Sequence, residues 1–153
     1  MTLDIHVTDP RRPEIAQAIV DQKAEALERI SDAPDFTLSA DELAAPEILV
    51  WEGRIDGDLA GLIALKALSP ESGEVKAMRT MPQLRGRGIG KDMLAHLIAE
   101  ARLRAYKTLW LETGSGPGYA SARSVYERAG FQVTGPFGDY PDVETSVYMR
   151  LDL

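Results

Sequence analysis

Arg85-Gly86-Arg87-Gly88-Ile89-Gly90-Lys91 packs three glycines and three cations into seven residues past the middle of a 153-residue chain. The residues before it, 74–81, read as a strand that Pro82 ends. Those after it carry an apolar stripe at helical spacing: Ile89, Met93, Leu94, Leu97, Ile98 and Ala101. A glycine-rich turn between a strand and a helix lets the backbone bend tightly and leaves the first-turn N–H groups of the helix without partners. Those donors and the positive end of the helix dipole make an anion site. Arg85, Arg87 and Lys91 reinforce it within a chain of net charge −7, so two adjacent phosphates are the natural ligand. A plain strand-to-helix connection is the other reading of the same residues.

Two better-known phosphate loops do not fit. A Walker A loop needs glycine five residues before Gly90 and a hydroxyl after the lysine, where this chain has Arg85 and Asp92. A dinucleotide fingerprint starting at Gly86 needs glycine at the position of Lys91, and belongs to a first βαβ unit rather than to mid-chain.

The rest of the chain bounds the answer. At 153 residues, with 44% hydrophobic and 27% charged residues, it has the size and composition of one folded domain, 1–153, and not of a disordered chain. It lacks cysteine, which removes thiolate nucleophiles and most zinc sites. Its two histidines, His6 and His96, are in no ligand spacing, so no metal is expected. The acidic balance argues against nucleic acid or a membrane surface as partner. No basic segment followed by an apolar core opens the chain, and its longest apolar stretch is too short to span a bilayer, so a cytoplasmic location is expected.

Working outward from the loop, Leu3, Ile5 and Val7 alternate as in a half-buried strand. Ile15, Ala18, Ile19, Ala26 and Ile30 follow Pro13 at helical spacing. Ser39 and Glu42 form a capping-box pattern for a short helix before Pro46. Strands are expected at 48–52 and 58–68 around a turn at 54–57, then at 74–81, 108–112, 131–133 and 145–151. A further helix is expected over 120–129, ended by Gly130. The order β-α-α-β-β-β-α-β-α-β-β implies an α/β fold, a mixed sheet flanked by helices.

Arg85, Gly88 and Gly90, placed between a strand led by Glu74 and an amphipathic helix, resemble the pyrophosphate loop of the GNAT superfamily of acyl-CoA N-acyltransferases. Val125-Tyr126-Glu127-Arg128-Ala129-Gly130-Phe131 is similar to that family's Leu-Tyr-Glu-(Lys/Arg)-x-Gly-Phe. The stretches 73–80, 111–114 and 135–140 look like a bacterial branch of small, stand-alone members. The likeness runs from about Gly57 to the C-terminus, while the N-terminal elements match only in order.

The resemblance implies a mostly antiparallel sheet in which one parallel strand pair, 74–80 with 108–113, splays apart to admit acetyl-CoA. Met78 and Thr80 would offer backbone contacts to pantetheine. Arg85, Gly86, Arg87, Gly88, Ile89, Gly90 and Lys91 would hold the pyrophosphate. It further implies direct acetyl transfer to a primary amine, on a small molecule or a peptide, in a ternary complex, and it allows a homodimer.

Such a transfer needs a neutral amine, a stabilised carbonyl oxygen and a proton for the departing thiolate. By resemblance Tyr126 is the acid, or else a core tyrosine on the face of Ala122, Val125 and Ala129. Glu74, eleven residues before Arg85, is the candidate base, or a strand residue paired with Lys76; Glu112 is the second choice. Tyr119 stands seven residues before Tyr126, where the family often has Asn or Gln. Arg79 replaces an aromatic or aliphatic residue, and either anchors an acceptor carboxylate or pairs with an acidic neighbour. Tyr140 lies on a turn-rich segment, 135–141, that either closes over the acceptor or is only a hairpin connection. His96 is expected on a solvated helix face, and Trp51 and Trp110 in sheet packing. A module that binds acyl-CoA without catalysis is the rival reading; it would keep the loop yet have no use for Tyr126 and Glu74.

Overall fold

Alternation along strand β3 (Asp58–Ser69) sets the layers of the molecule. Leu62 and Ala64 face one way, into a cluster with Ile15, Ala18, Ile19, Leu43 and Val50. Ile63 and Leu65 face the other, into a larger cluster with Met93, Leu94, Leu97 and Leu109. Each large side chain buried this way contributes roughly 1.5–3 kcal/mol, so β3 anchors both faces at once. The computed structural model describes residues 2–29 and 34–153. Expected helix residue Ile30 and expected loop residues 31–33 lie outside them.

Around β3 the elements follow in the anticipated order: β1 (Asp4–Val7), α1 (Pro13–Arg29), α2 (Ala40–Leu43), β2 (Ile48–Ile55), β3, β4 (Ser72–Thr80), α3 (Ile89–Leu103), β5 (Thr108–Gly114), α4 (Ala120–Arg128), β6 (Gln132–Thr134) and β7 (Ser146–Asp152). The sheet has seven strands in the order β1-β2-β3-β4-β5-β7-β6. Five of its strand pairs are antiparallel and one, β4 with β5, is parallel. The fold is thus the α/β arrangement expected, with α1 and α2 over one face and α3 and α4 over the other. The Ser39–Glu42 capping box is formed in both directions.

Several boundaries differ for local reasons. β2 runs on to Ile55 through a register shift at Gly53 and Arg54, which leaves only Asp56 and Gly57 for the turn. Both have positive φ, as a two-residue hairpin of the primed kind requires. β4 begins at Ser72 because Ser69 pairs with Ser72 across a two-residue turn. Val7, at the end of edge strand β1, is 61% exposed, although Leu3 and Ile5 pack against the core. His96 is not the solvated histidine expected: it is half-buried and meets Trp51 edge-on, with 5.5 Å between ring centres. Trp110 packs as expected, stacked on Phe137.

Candidate active site

The parallel pair is joined for only three residues, Ser72 to Glu74 against Thr108 to Trp110. Beyond that point β4 stays bound to β3, and β5 stays bound to β7 through Gly114. The rest of the β4 and β5 edges therefore face each other without a ladder. Backbone groups on such edges need other partners. A bulge in β4 sharpens the separation: the register with β3 slips between Leu62 and Ala64, opposite Ala77, which has φ of 55°. The gap opens into a cavity of about 1070 Å³.

At one end of the cavity lies the glycine-rich turn. Gly86 and Gly88 have φ of 82° and 80°, a left-handed conformation that costs a residue with Cβ roughly 1–2 kcal/mol. Gly88 is the N-cap of α3, and no side chain caps that helix, so its first-turn N–H groups stay available. Arg85, Gly86, Gly88, Ile89, Gly90 and Lys91 line the cavity, while Arg87, exposed in the same turn, is absent from its wall. Ile89 contributes backbone only, since its side chain is buried in the core.

Helix α1 supplies an unanticipated anchor. Glu25 grips Arg79 with both oxygens, at 3.0 and 3.1 Å, and also meets Arg85 at 2.9 Å. The Arg79 hydrogen bond holds the Glu25 carboxyl below its ordinary range, against the opposing pull of burial. The ion pair with an acidic neighbour, one of the two readings of Arg79, is therefore formed: the side chain is 5% exposed and both terminal nitrogens meet Glu25, while its Nε is buried without a partner. One turn earlier, Gln22 donates to the Met78 carbonyl at 3.1 Å. Helix α1 thus fastens β4 just beyond its bulge. A clue was visible in the sequence, since Gln22 interrupts the apolar stripe of Ile15, Ala18, Ile19 and Ala26.

Tyr126 projects from α4 into the cavity, packs edge-on against Phe131 and is 7% exposed. Burial, with the nearby Glu112 charge, pushes its hydroxyl well above the ordinary tyrosine value. Glu112, on β5, also lines the cavity and accepts from the Ser146 hydroxyl at 2.7 Å. Burial raises its carboxyl above the usual range, outweighing that hydrogen bond and the pull of Lys76. Glu74 sits differently: it is 3% exposed and is absent from the cavity wall. Its Oε2 accepts the Tyr140 hydroxyl at 2.5 Å and meets Lys76 at 3.3 Å. Tyr140 is not in the wall either; its ring packs on Phe36 and Phe137.

Tyr119 has a role of its own here. Its ring lies so close to Gly114 that a Cβ there would be 2.1 Å from a ring carbon. Glycine at the end of β5 is what admits a tyrosine in that place. Among the described residues no group of three or more His, Asp or Glu is placed to hold a metal ion, and no helix is long and apolar enough to cross a membrane.

The splayed strand pair, the uncapped loop and the Tyr126 helix together define an acyl-CoA-type transferase architecture, and comparison with known proteins agrees. Residues 13–131 match the family model described as Acetyltransferase (GNAT) family. An uncharacterized N-acetyltransferase of Bacillus subtilis, YsnE, is 43% identical over 116 residues, covering 76% of this chain and 77% of the relative. A candidate acyl-CoA N-acyltransferase from Klebsiella pneumoniae superposes with a TM-score of 0.81 at 28% identity, over 99% of this chain and 98% of that one. A Bacillus subtilis acetyltransferase solved with CoA gives a TM-score of 0.74 at 18% identity, over 99% of each chain. The chain belongs to the GNAT acetyltransferase family.

Proposed function

We propose that this protein transfers the acetyl group of acetyl-CoA directly to a primary amine, within a ternary complex and without a covalent enzyme intermediate. The observation that carries the reading is the opening of the β4–β5 gap into one cavity shared by the uncapped loop, Tyr126 and Glu112. The donor set suits the cofactor. Backbone N–H groups and the Arg85, Arg87 and Lys91 side chains would hold its pyrophosphate, and the β4 backbone at Met78 and Thr80, on the edge without a β5 ladder, would meet its pantetheine amides. When bound, the cofactor supplies an activated acyl group.

The remaining chemistry falls to side chains. Tyr126 keeps its proton at neutral pH because burial disfavours the phenolate, so it can hydrogen-bond to the departing sulfur, and it yields that proton as another group resupplies it. Glu112 is the better-placed base: it faces the cavity, and its raised carboxyl is better matched to an amine proton than an ordinary glutamate. The sequence-based choice, Glu74, acts in this reading by fixing Lys76 and Tyr140. The acceptor is a small-molecule or peptide amine and the setting cytoplasmic; neither nucleic acid nor membrane takes part.

The test is an initial-velocity matrix of acetyl-CoA against a panel of amines, followed by thiol release. Intersecting lines are expected. Parallel lines would replace direct transfer with a covalent route, and cofactor binding without thiol release on any amine would leave the non-catalytic binding module as the reading.

A further inference from the structure

Away from the glycine-rich turn, the cavity ends among Phe36, Thr37, Lys76, Glu112, Thr145 and Ser146. Lys76 lies four residues before Thr80, about 13 Å along an extended strand, so this end is well separated from the loop. The charges here have opposite signs. Glu112 offers a carboxylate, and Lys76 an ammonium that is 12% exposed. The other acid of this wall, Asp35, is occupied by Lys23 and Thr37.

An ammonium has three donors. Lys76 reaches Glu74 at 3.3 Å, the Tyr140 hydroxyl at 2.8 Å and the Phe36 carbonyl at 3.4 Å. The last contact is the longest, and it goes to a neutral oxygen on the loop that borders the cavity. A carboxylate would take that donor with a shorter, charge-assisted bond. Arg79, the residue whose sequence position suggested a carboxylate anchor, commits both terminal nitrogens to Glu25 and keeps only a buried Nε without a partner. That leaves Lys76 as the cation facing this end of the cavity.

We propose that Lys76 anchors the carboxylate of an amino-acid acceptor, leaving that acceptor's amine beside Glu112. The proposal rests on the acetyltransferase reading above and narrows it from amines in general to amino carboxylic acids. In the transfer, the amine nitrogen forms the amide bond as the thioester C–S bond breaks. The nitrogen's proton passes to Glu112, the sulfur takes the proton of Tyr126, and the proton held by Glu112 then returns to the Tyr126 oxygen, so both groups end as they began. Lys76 takes no part in these bond changes; it sets which acceptor is held.

Matched acceptors test this without altering the protein: phenylalanine against phenethylamine and phenylalanine amide, and leucine against isoamylamine, each followed by acetyl-CoA-dependent thiol release. The free carboxylate should raise kcat/KM by roughly ten- to hundredfold, mainly through KM. In K76M that ratio should fall toward one. The double variant E74Q/K76M repeats the test without leaving a buried, unpaired Glu74, should K76M fold poorly. Equal or better use of the amines lacking a carboxylate, or a ratio unchanged in both variants, would overturn the proposal and leave the acetyltransferase reading intact. Acetyl-CoA binding with no thiol release from any acceptor would overturn that reading, and this proposal with it.

Discussion

The two ends of the cavity are built on opposite principles. At the cofactor end the functional groups are backbone amides of an uncapped helix turn, joined by the exposed cations Arg87 and Lys91. At the end proposed for the acceptor the ionic groups named above are tied to other side chains: Lys76 to Glu74 and Tyr140, Glu112 to Ser146, Asp35 to Lys23. One end presents donors that await an anion. The other is a preassembled polar network in which an acceptor must replace an existing contact. A loop of seven consecutive residues can specify the first arrangement, whereas the second needs residues from α1's following loop, β4, β5 and β7 to meet.

The largest effect that would sharpen this contrast is at Tyr126. Y126F should lower kcat by about 10²–10⁴ while leaving acetyl-CoA affinity close to wild type, since a lost acid acts on the chemical step. Calorimetric titration beside steady-state rates checks both halves, and an undiminished kcat would remove the acid role. E112Q should also lose most activity, yet gain stability. Because burial raises the Glu112 carboxyl, the folded state binds its proton more tightly than the unfolded one. That contribution is present below the unfolded value near 4.5 and is lost as pH rises through the folded value. At neutral pH the ionised form costs stability, so E112Q should melt higher than wild type, which thermal denaturation at pH 7 would read.

At the cofactor end, R87A/K91A should weaken acetyl-CoA binding by about tenfold or more, with the melting temperature nearly unchanged, because neither cation holds the fold. Titration of the double variant gives the answer. Smaller is G114A, in which the Tyr119 ring must move from a site where Cβ would sit 2.1 Å away. Such overpacking costs about 1–3 kcal/mol and should show as a lowered Tm. Smallest is E25Q. The Glu25 carboxyl is held low by Arg79, so its stabilisation is present above about 4.5 and fades as pH falls through the lower folded value. A Tm-versus-pH curve should therefore lose part of its acid slope in E25Q.

How much of this was legible in the sequence follows the same divide. The order of elements, the capping box at Ser39 and the glycine turn depend on neighbours within a few residues or on one periodic stripe, whereas the splayed pair is an implication of the family resemblance. Boundaries moved where a register shift decided them, as at Gly53 and Ser72. His96 was read as solvated because helical periodicity alone does not reveal that Trp51 of β2 lies under it. Arg79 carries two readings, and the partner that one of them requires, Glu25 of α1, lies 54 positions away. Lys76 appeared in the sequence as no more than a neighbour of Glu74. Its contacts to Phe36 and Tyr140, 40 and 64 positions distant, are what hold it at the end of the cavity proposed for the acceptor. Tyr119 broke the usual pattern for its place, and the explanation lies in Gly114, a residue the motif does not include.

Central to this account is a cofactor seat formed where β4 and β5 part, and calorimetric titration of the wild-type protein probes it most directly. Acetyl-CoA and CoA should each saturate one site, while NAD and ATP at the same concentrations should not. Absence of saturable binding by either CoA species, or equal binding of NAD or ATP, would contradict it and reduce the residue 85–91 loop to a turn between strand and helix.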